Sequence, residues 1–169
     1  MEKEQVIKTG GINYNGLQLL VLVTLRVLIG WHLLYEGMVK VFNPSWTSAG
    51  YLLDSKGFLS GFFYSLTYNP KILQIVDLVN EWTLVVVGAA LILGIFTRIA
   101  SFAGIVLMGM YFLSHPPFLG LNYAIPSEGS YLVVNKVLIE AIALAVFTVF
   151  PTGRIGLDRF LFSKWTKNY

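Results

Sequence analysis

The chain has 169 residues, 56% of them hydrophobic and only 12% charged, with a mean hydropathy of +0.68 and a net charge of +3. So few charges cannot solvate an ordinary globular surface, which makes lipid the predicted solvent. Cysteine is absent, so this chain alone supplies no thiol exchange, thiolate metal site or iron–sulfur cluster. Its basic residues are dispersed toward span ends rather than gathered in a patch, which argues against nucleic acid.

The predicted fold is all-α: one membrane domain over residues 1–169, a bundle of four transmembrane helices. A polar opening, Met1 to Gly16, leads into an apolar run at about 17–41, long enough to cross ~30 Å of hydrocarbon. Arg26, His32 and Glu36 inside that run argue against a cleaved signal peptide. Residues 42–70 break the pattern with Asn, Pro, Ser and Gly among many aromatics, including Trp46, Tyr51, Phe58, Phe62, Phe63, Tyr64 and Tyr68, as expected of a segment at headgroup level. Its middle, Ser55 to Leu66, is predicted to form a short interfacial helix with Phe58, Phe62 and Leu66 on one face, capping the bundle.

The second span is expected at 72–96 and the third at 99–113, joined by the short turn Thr97–Arg98, which forces them to be antiparallel neighbours. Ala100 and Gly104 place small residues four apart and allow close helix approach. Pro116 and Pro117 end the third span after His115; the fourth is expected at 131–150, stopped by Pro151 and Gly153. Lys3, Lys8, Arg98, Arg154, Arg159, Lys164 and Lys167 share one side, against Lys40, Lys56 and Lys71 on the other, so both termini are predicted cytoplasmic.

Ionisable groups inside spans cost about 2.5 to 3.5 kcal/mol each by insertion scales, so they need partners or a polar cavity. His32, Glu36 and Lys40 recur every four residues on the first helix, with Arg26 at the edge of the same arc. Asp77 and Glu81 repeat the spacing on the second helix, as do Lys136 and Glu140, beside Asn135, on the fourth. Counting ~1.5 Å per residue from the expected span ends puts Arg26 and Glu140 both ~13 Å deep, which predicts a pair between them that Glu81 could join. The remaining charges lie nearer the outer surface and should form a cluster open to the periplasm. Packing alone could also use such groups, since polar contacts between helices specify bundles in lipid. Neither His32 nor His115 has a second histidine at helical spacing, and the two lie at different depths, so no metal or haem site is predicted.

Four stretches resemble the DoxX family of small bacterial membrane proteins, related to the DoxD subunit of thiosulfate:quinone oxidoreductase. They are LRVLIGWHLLYEGMVKV (Arg26, Gly30, Glu36, Gly37, Lys40), EWTLVVVGAALILGIFTR (Glu81, Gly88, Gly94, Arg98), NKVLIEAIALAVF (Asn135, Lys136, Glu140) and GRIGLDRFL (Gly153, Arg154, Leu157, Asp158). The resemblance implies a four-helix bundle in the bacterial inner membrane and redox work around quinones or oxidative stress. The long aromatic segment after the first span departs from the usual pattern and suggests a lid or partner surface.

A quinone needs an apolar route for its tail, donors at its carbonyls and a carboxylate for proton exchange. The expected assignment gives carbonyl binding or electrostatic stabilisation to Arg26, His32 and Lys136, with Glu36, Lys40, Asp77 and Asn135 also lining the binding site. Glu81 or Glu140 would exchange protons. No intrinsic cofactor is expected, so a quinone-reactive subunit would take electrons from a protein partner. The alternatives are a non-enzymatic scaffold docking a partner or a second copy, and a small transporter, which four spans without an internal repeat disfavour.

Overall fold

The computed structural model describes residues 7–9, 12–124, 132–150, 152 and 156–158. Helices dominate, preceded by a small antiparallel hairpin, β1 (Ile7–Thr9) and β2 (Ile12–Tyr14), in register Ile7 opposite Tyr14. Three-residue strands are too short to leave an alternating pattern, so the hairpin was not predicted.

The long helix α1 (Gly16–Val41) starts where Asn15 accepts from the Gln18 amide at 2.8 Å while the Gln18 side chain accepts from the Asn15 amide at 3.0 Å, a reciprocal cap. The connector holds two short helices, α2 (Ala49–Leu53) and α3 (Ser60–Ser65). α3 is shorter than the predicted helix: Phe58 falls outside it and is exposed, and Phe63, not Phe62, is buried. α4 (Pro70–Leu93) begins at the Asn69 cap with proline in its first turn, where the missing amide hydrogen is harmless. α5 (Thr97–Ser114) and α6 (Lys136–Val149) complete the described helices.

Among the described residues, α1, α4 and α5 are long and apolar enough to cross a membrane. Exposed large side chains such as Leu28, Trp31, Val79, Val86, Phe102 and Val106 cover their outer faces, as lipid contact requires. α6 has 14 residues, ~21 Å of helix, and is shorter than the predicted 131–150 span.

α1 packs mainly on α4 and α5 on α6, with α4 against α5 joining the two pairs. α1 and α4 run antiparallel, since Gly30 meets Gly88 and Leu91 while Gly37 meets Leu84 and Val85. Their backbones touch: a methyl group on Gly30 would stand 2.9 Å from the Gly88 carbonyl oxygen. Gly104 gives α5 the same closeness to Leu144 of α6. Leu33, Leu84, Val87, Leu91, Met108, Leu144 and Phe147 fill the centre.

The α4–α5 turn is locked from outside. Gly94 ends α4 in the left-handed region (φ +67°), and Phe96 follows at φ +47°. Asp158 accepts from the Phe96 amide at 2.8 Å and the Thr97 amide at 3.5 Å, supplying from a distant segment the cap that α5 lacks locally. Beneath the turn, Arg26 is 2% exposed and donates at 3.1 Å to both the carbonyl and the hydroxyl of buried Thr152. Lys3, Arg154, Arg159, Lys164, Lys167, Pro151 and Gly153, used in the sequence reading, lie outside the described residues.

Candidate functional site

At the opposite end, where α1 and α5 finish and α4 and α6 begin, the helices diverge around a cavity of about 630 Å³. α1 supplies His32, Glu36 and Lys40, whose four-residue spacing puts them on one stripe, beside Leu33, which also borders the cavity, while Gly30 and Gly37 meet α4. α6 supplies Lys136 and Glu140, with Asn135, its N-cap, accepting from the Leu138 amide at 2.9 Å. α4 contributes Asn80, and α5 contributes Met108 and Tyr111. The connector covers the cavity with Trp46 and Tyr51, and residues after α5 cover it with Phe118, Leu121 and Tyr123.

Two pairs form among the charged groups. His32 Nε2 lies 3.2 Å from Glu140 Oε1, and Lys40 Nζ lies 3.0 Å from Glu36 Oε2 and 5.7 Å above the Trp46 ring. A second network is neutral: Asn80 Nδ2 donates to the Tyr111 hydroxyl at 2.6 Å, and the Tyr51 hydroxyl donates to the Tyr111 carbonyl at 3.2 Å. Mixed aromatic walls with a few convergent polar groups suit a flat, mostly neutral ligand carrying hydrogen-bonding oxygens.

Six of the nine residues singled out from the sequence therefore meet here: His32, Glu36, Lys40, Asn135, Lys136 and Glu140. The other three do not line the cavity. Arg26 bonds Thr152 at the far end, and the expected Arg26–Glu140 pair gives way to His32–Glu140. The physical reason is depth: α6 starts at Lys136 rather than near 131, so Glu140 enters by ~6 Å, level with a residue ~9 Å above Arg26 on α1. Asp77 points to the connector, accepting from the Thr47 hydroxyl at 2.8 Å, the Ser48 amide at 2.9 Å and the Ser48 hydroxyl. Glu81 lies outside the cavity lining and does not join Arg26.

Asn80, Tyr51, Tyr111 and Tyr123 were missed, and His115 was weighed only as a metal ligand. Asn80 carried a usable signal, being a polar residue three positions from Asp77 on an otherwise apolar helix. The tyrosines read as interface aromatics and gave none.

A family model described as DoxX matches residues 21–116, more than half of the chain. The match takes in α1, the connector, α4 and α5, and leaves out α6 with Asn135, Lys136 and Glu140. No curated protein and no solved structure matches the chain.

Proposed function

This chain belongs to the DoxX family of membrane proteins, and we propose that it is the quinone-binding subunit of a membrane redox assembly. The observation that carries this reading is the His32–Glu140 contact of 3.2 Å on the wall of an aromatic cavity between lipid-facing helices. An imidazole and a carboxylate at hydrogen-bond distance form a pair between which a proton can pass. Converting a quinone to a quinol consumes two electrons and two protons. In this reading a redox partner delivers both electrons, and Glu140 and His32 relay the two protons in turn, one to each ring oxygen. Lys40 and Lys136 supply donors, and Trp46, Tyr51 and Phe118 supply faces for the ring. Glu81, away from the cavity, takes no part, and proton exchange rests on Glu140.

The same reading places the chain in the bacterial cytoplasmic membrane with both termini inside and the cavity open to the periplasm, following the basic residues at the Arg98 turn. α6 then serves as the fourth span. Its short helix is compatible with that role because Asn135, just before it, borders the cavity, and non-helical backbone is tolerated at membrane depth where it lines a cavity.

The test is mass spectrometry of organic extracts from gently purified protein, with Glu140→Gln and His32→Gln variants shown to remain folded. A near-stoichiometric quinone in wild type and its loss in both variants is the expected result. No bound quinone, together with no change in Trp46 fluorescence on adding a short-chain quinone, would instead leave the charges a packing role within a partner-docking scaffold.

A further inference from the structure

The residues that follow α5 close one wall of the cavity, and their attachments converge on a single imidazole. His115 is flanked by tyrosines from different segments: Tyr51 of α2 stacks on it at 3.8 Å between centroids and 25° between planes, and Tyr123 lies at 4.7 Å and 32°. The Tyr123 hydroxyl donates to the Pro116 carbonyl at 2.8 Å, and the Ala124 amide donates to Asp54 Oδ2 at 2.7 Å. Lys56 Nζ stands 4.0 Å from Asp54 Oδ1 and 5.2 Å from the Tyr123 ring centre. His115 Nδ1 is 3.1 Å from Ser114 Oγ. Its Nε2 is buried without a hydrogen-bond partner, 3.9 Å from Asp54 Oδ2.

The geometry points to an acid-operated latch: protonation of His115 frees residues 116–124 from the connector and opens the cavity. A neutral imidazole fits between two tyrosine rings as a flat, weakly polar plate. A second proton on the ring, whichever nitrogen takes it, brings a charge to a place where Nε2 is shielded from water beside a carboxylate oxygen already engaged by the Ala124 amide. The imidazolium then has two outlets. It can leave the tyrosines for water, or it can draw Asp54 away from Ala124. Either movement breaks a tie that holds the segment against the connector.

The groups facing the ring are Tyr51 from α2, Asp54 and Lys56 from the connector, Ser114 from α5 and Tyr123 from the segment itself. Burial pushes His115 below the ordinary histidine range; the Asp54 carboxylate opposes that shift and the Lys56 ammonium adds to it. The closed form therefore binds the proton more weakly than a solvated open form. By linkage the closed form holds fully above the ordinary histidine range and is lost as pH falls through the lowered value. This latch controls the cavity assigned above to a quinone and rests on that reading for its occupant, whereas the motion itself needs no ligand.

The test is amide hydrogen exchange of the full chain in lipid nanodiscs without added ligand, corrected for the intrinsic pH dependence of exchange. Peptides covering 116–124 should exchange about five-fold faster at pH ~5 than at pH ~7.5 in wild type. The step should vanish in His115→Phe, which keeps a flat ring between the tyrosines and takes no proton, and in the smaller His115→Gln. A wild type without the step, or a step that survives in both variants, overturns the latch. A step present in protein that retains no quinone upholds the latch and overturns only the occupant.

Discussion

At the end near the α4–α5 turn, Arg26 is enclosed by Thr152, Gly94 and the tail segment that carries Asp158, whereas at the connector end His32, Glu36, Lys40, Lys136 and Glu140 stand around about 630 Å³ of space. Both groups are ionisable residues on apolar helices, and both looked alike in sequence. The difference lies in what their unshared hydrogen-bonding capacity meets. Arg26 is buried and reaches the backbone carbonyl and the hydroxyl of Thr152, so its charge fixes the position of the tail on the turn. At the connector end His32 meets Glu140 and Glu36 meets Lys40 along a cavity wall, where the proposed ligand would meet them. Charge that borders a cavity marks a candidate site, and charge enclosed against hydrogen-bond acceptors marks a joint.

Substitutions at the two ends should separate along this line. The largest effect is expected from Gly94→Ala, because a Cβ there would stand 2.8 Å from the Gly156 Cα and 2.9 Å from an Arg26 nitrogen on a backbone at φ +67°. Left-handed strain and overpacking together cost about 3 kcal/mol, read as a sharp loss of folded protein in detergent. Arg26→Met should follow at about 2 kcal/mol, since it strands the Thr152 carbonyl and hydroxyl without a donor, and should appear as a lower melting temperature. If Arg26→Met melts like wild type, the joint assignment fails.

At the other end, Glu140→Gln should leave the melting temperature near wild type while weakening binding of a short-chain quinone about ten-fold in a fluorescence titration. That factor corresponds to about 1.4 kcal/mol, the scale of one hydrogen bond to a charged group. A large stability loss with unchanged binding would reverse the comparison. Tyr111→Phe removes the acceptor for Asn80 and should cost about 1 kcal/mol of stability by denaturant titration. Lys40→Met should change stability least, by about 0.5 kcal/mol or less, because Glu36 is 47% exposed and solvent screens the pair.

Much of this was readable in the chain itself. The α1 run at 17–41 matched Gly16–Val41 within one residue because composition, length and the Asn15 cap all agree. The stripe of His32, Glu36 and Lys40 followed from helical spacing alone, and it does line one wall. Partner choice was not readable. Pairing Arg26 with Glu140 depended on where α6 begins, and an apolar stretch at 131–135 looked like helix although Asn135 caps it. The connector's role in sealing the cavity was anticipated only as a cap, since Asp77 with Ser48 and Ser55 with the Ser114 carbonyl join segments far apart in sequence.

Composition and periodicity by themselves determined that the chain lives in lipid, that α4 and α5 are long and antiparallel across a tight turn, though that turn lies at 94–96 and Thr97 and Arg98 already belong to α5, and that α1 carries a polar stripe. These follow from local solvent preference and the geometry of a single helix. Tertiary structure alone decided which charges meet. Contact between side chains on different helices depends on relative register and rotation, and these are set by close approaches such as Gly30 to Gly88 and Gly104 to Leu144. It also decided that Arg26 became a joint and His32 a wall of the cavity, because the bonded partner of each, Thr152 and Glu140, comes from a segment more than a hundred positions away.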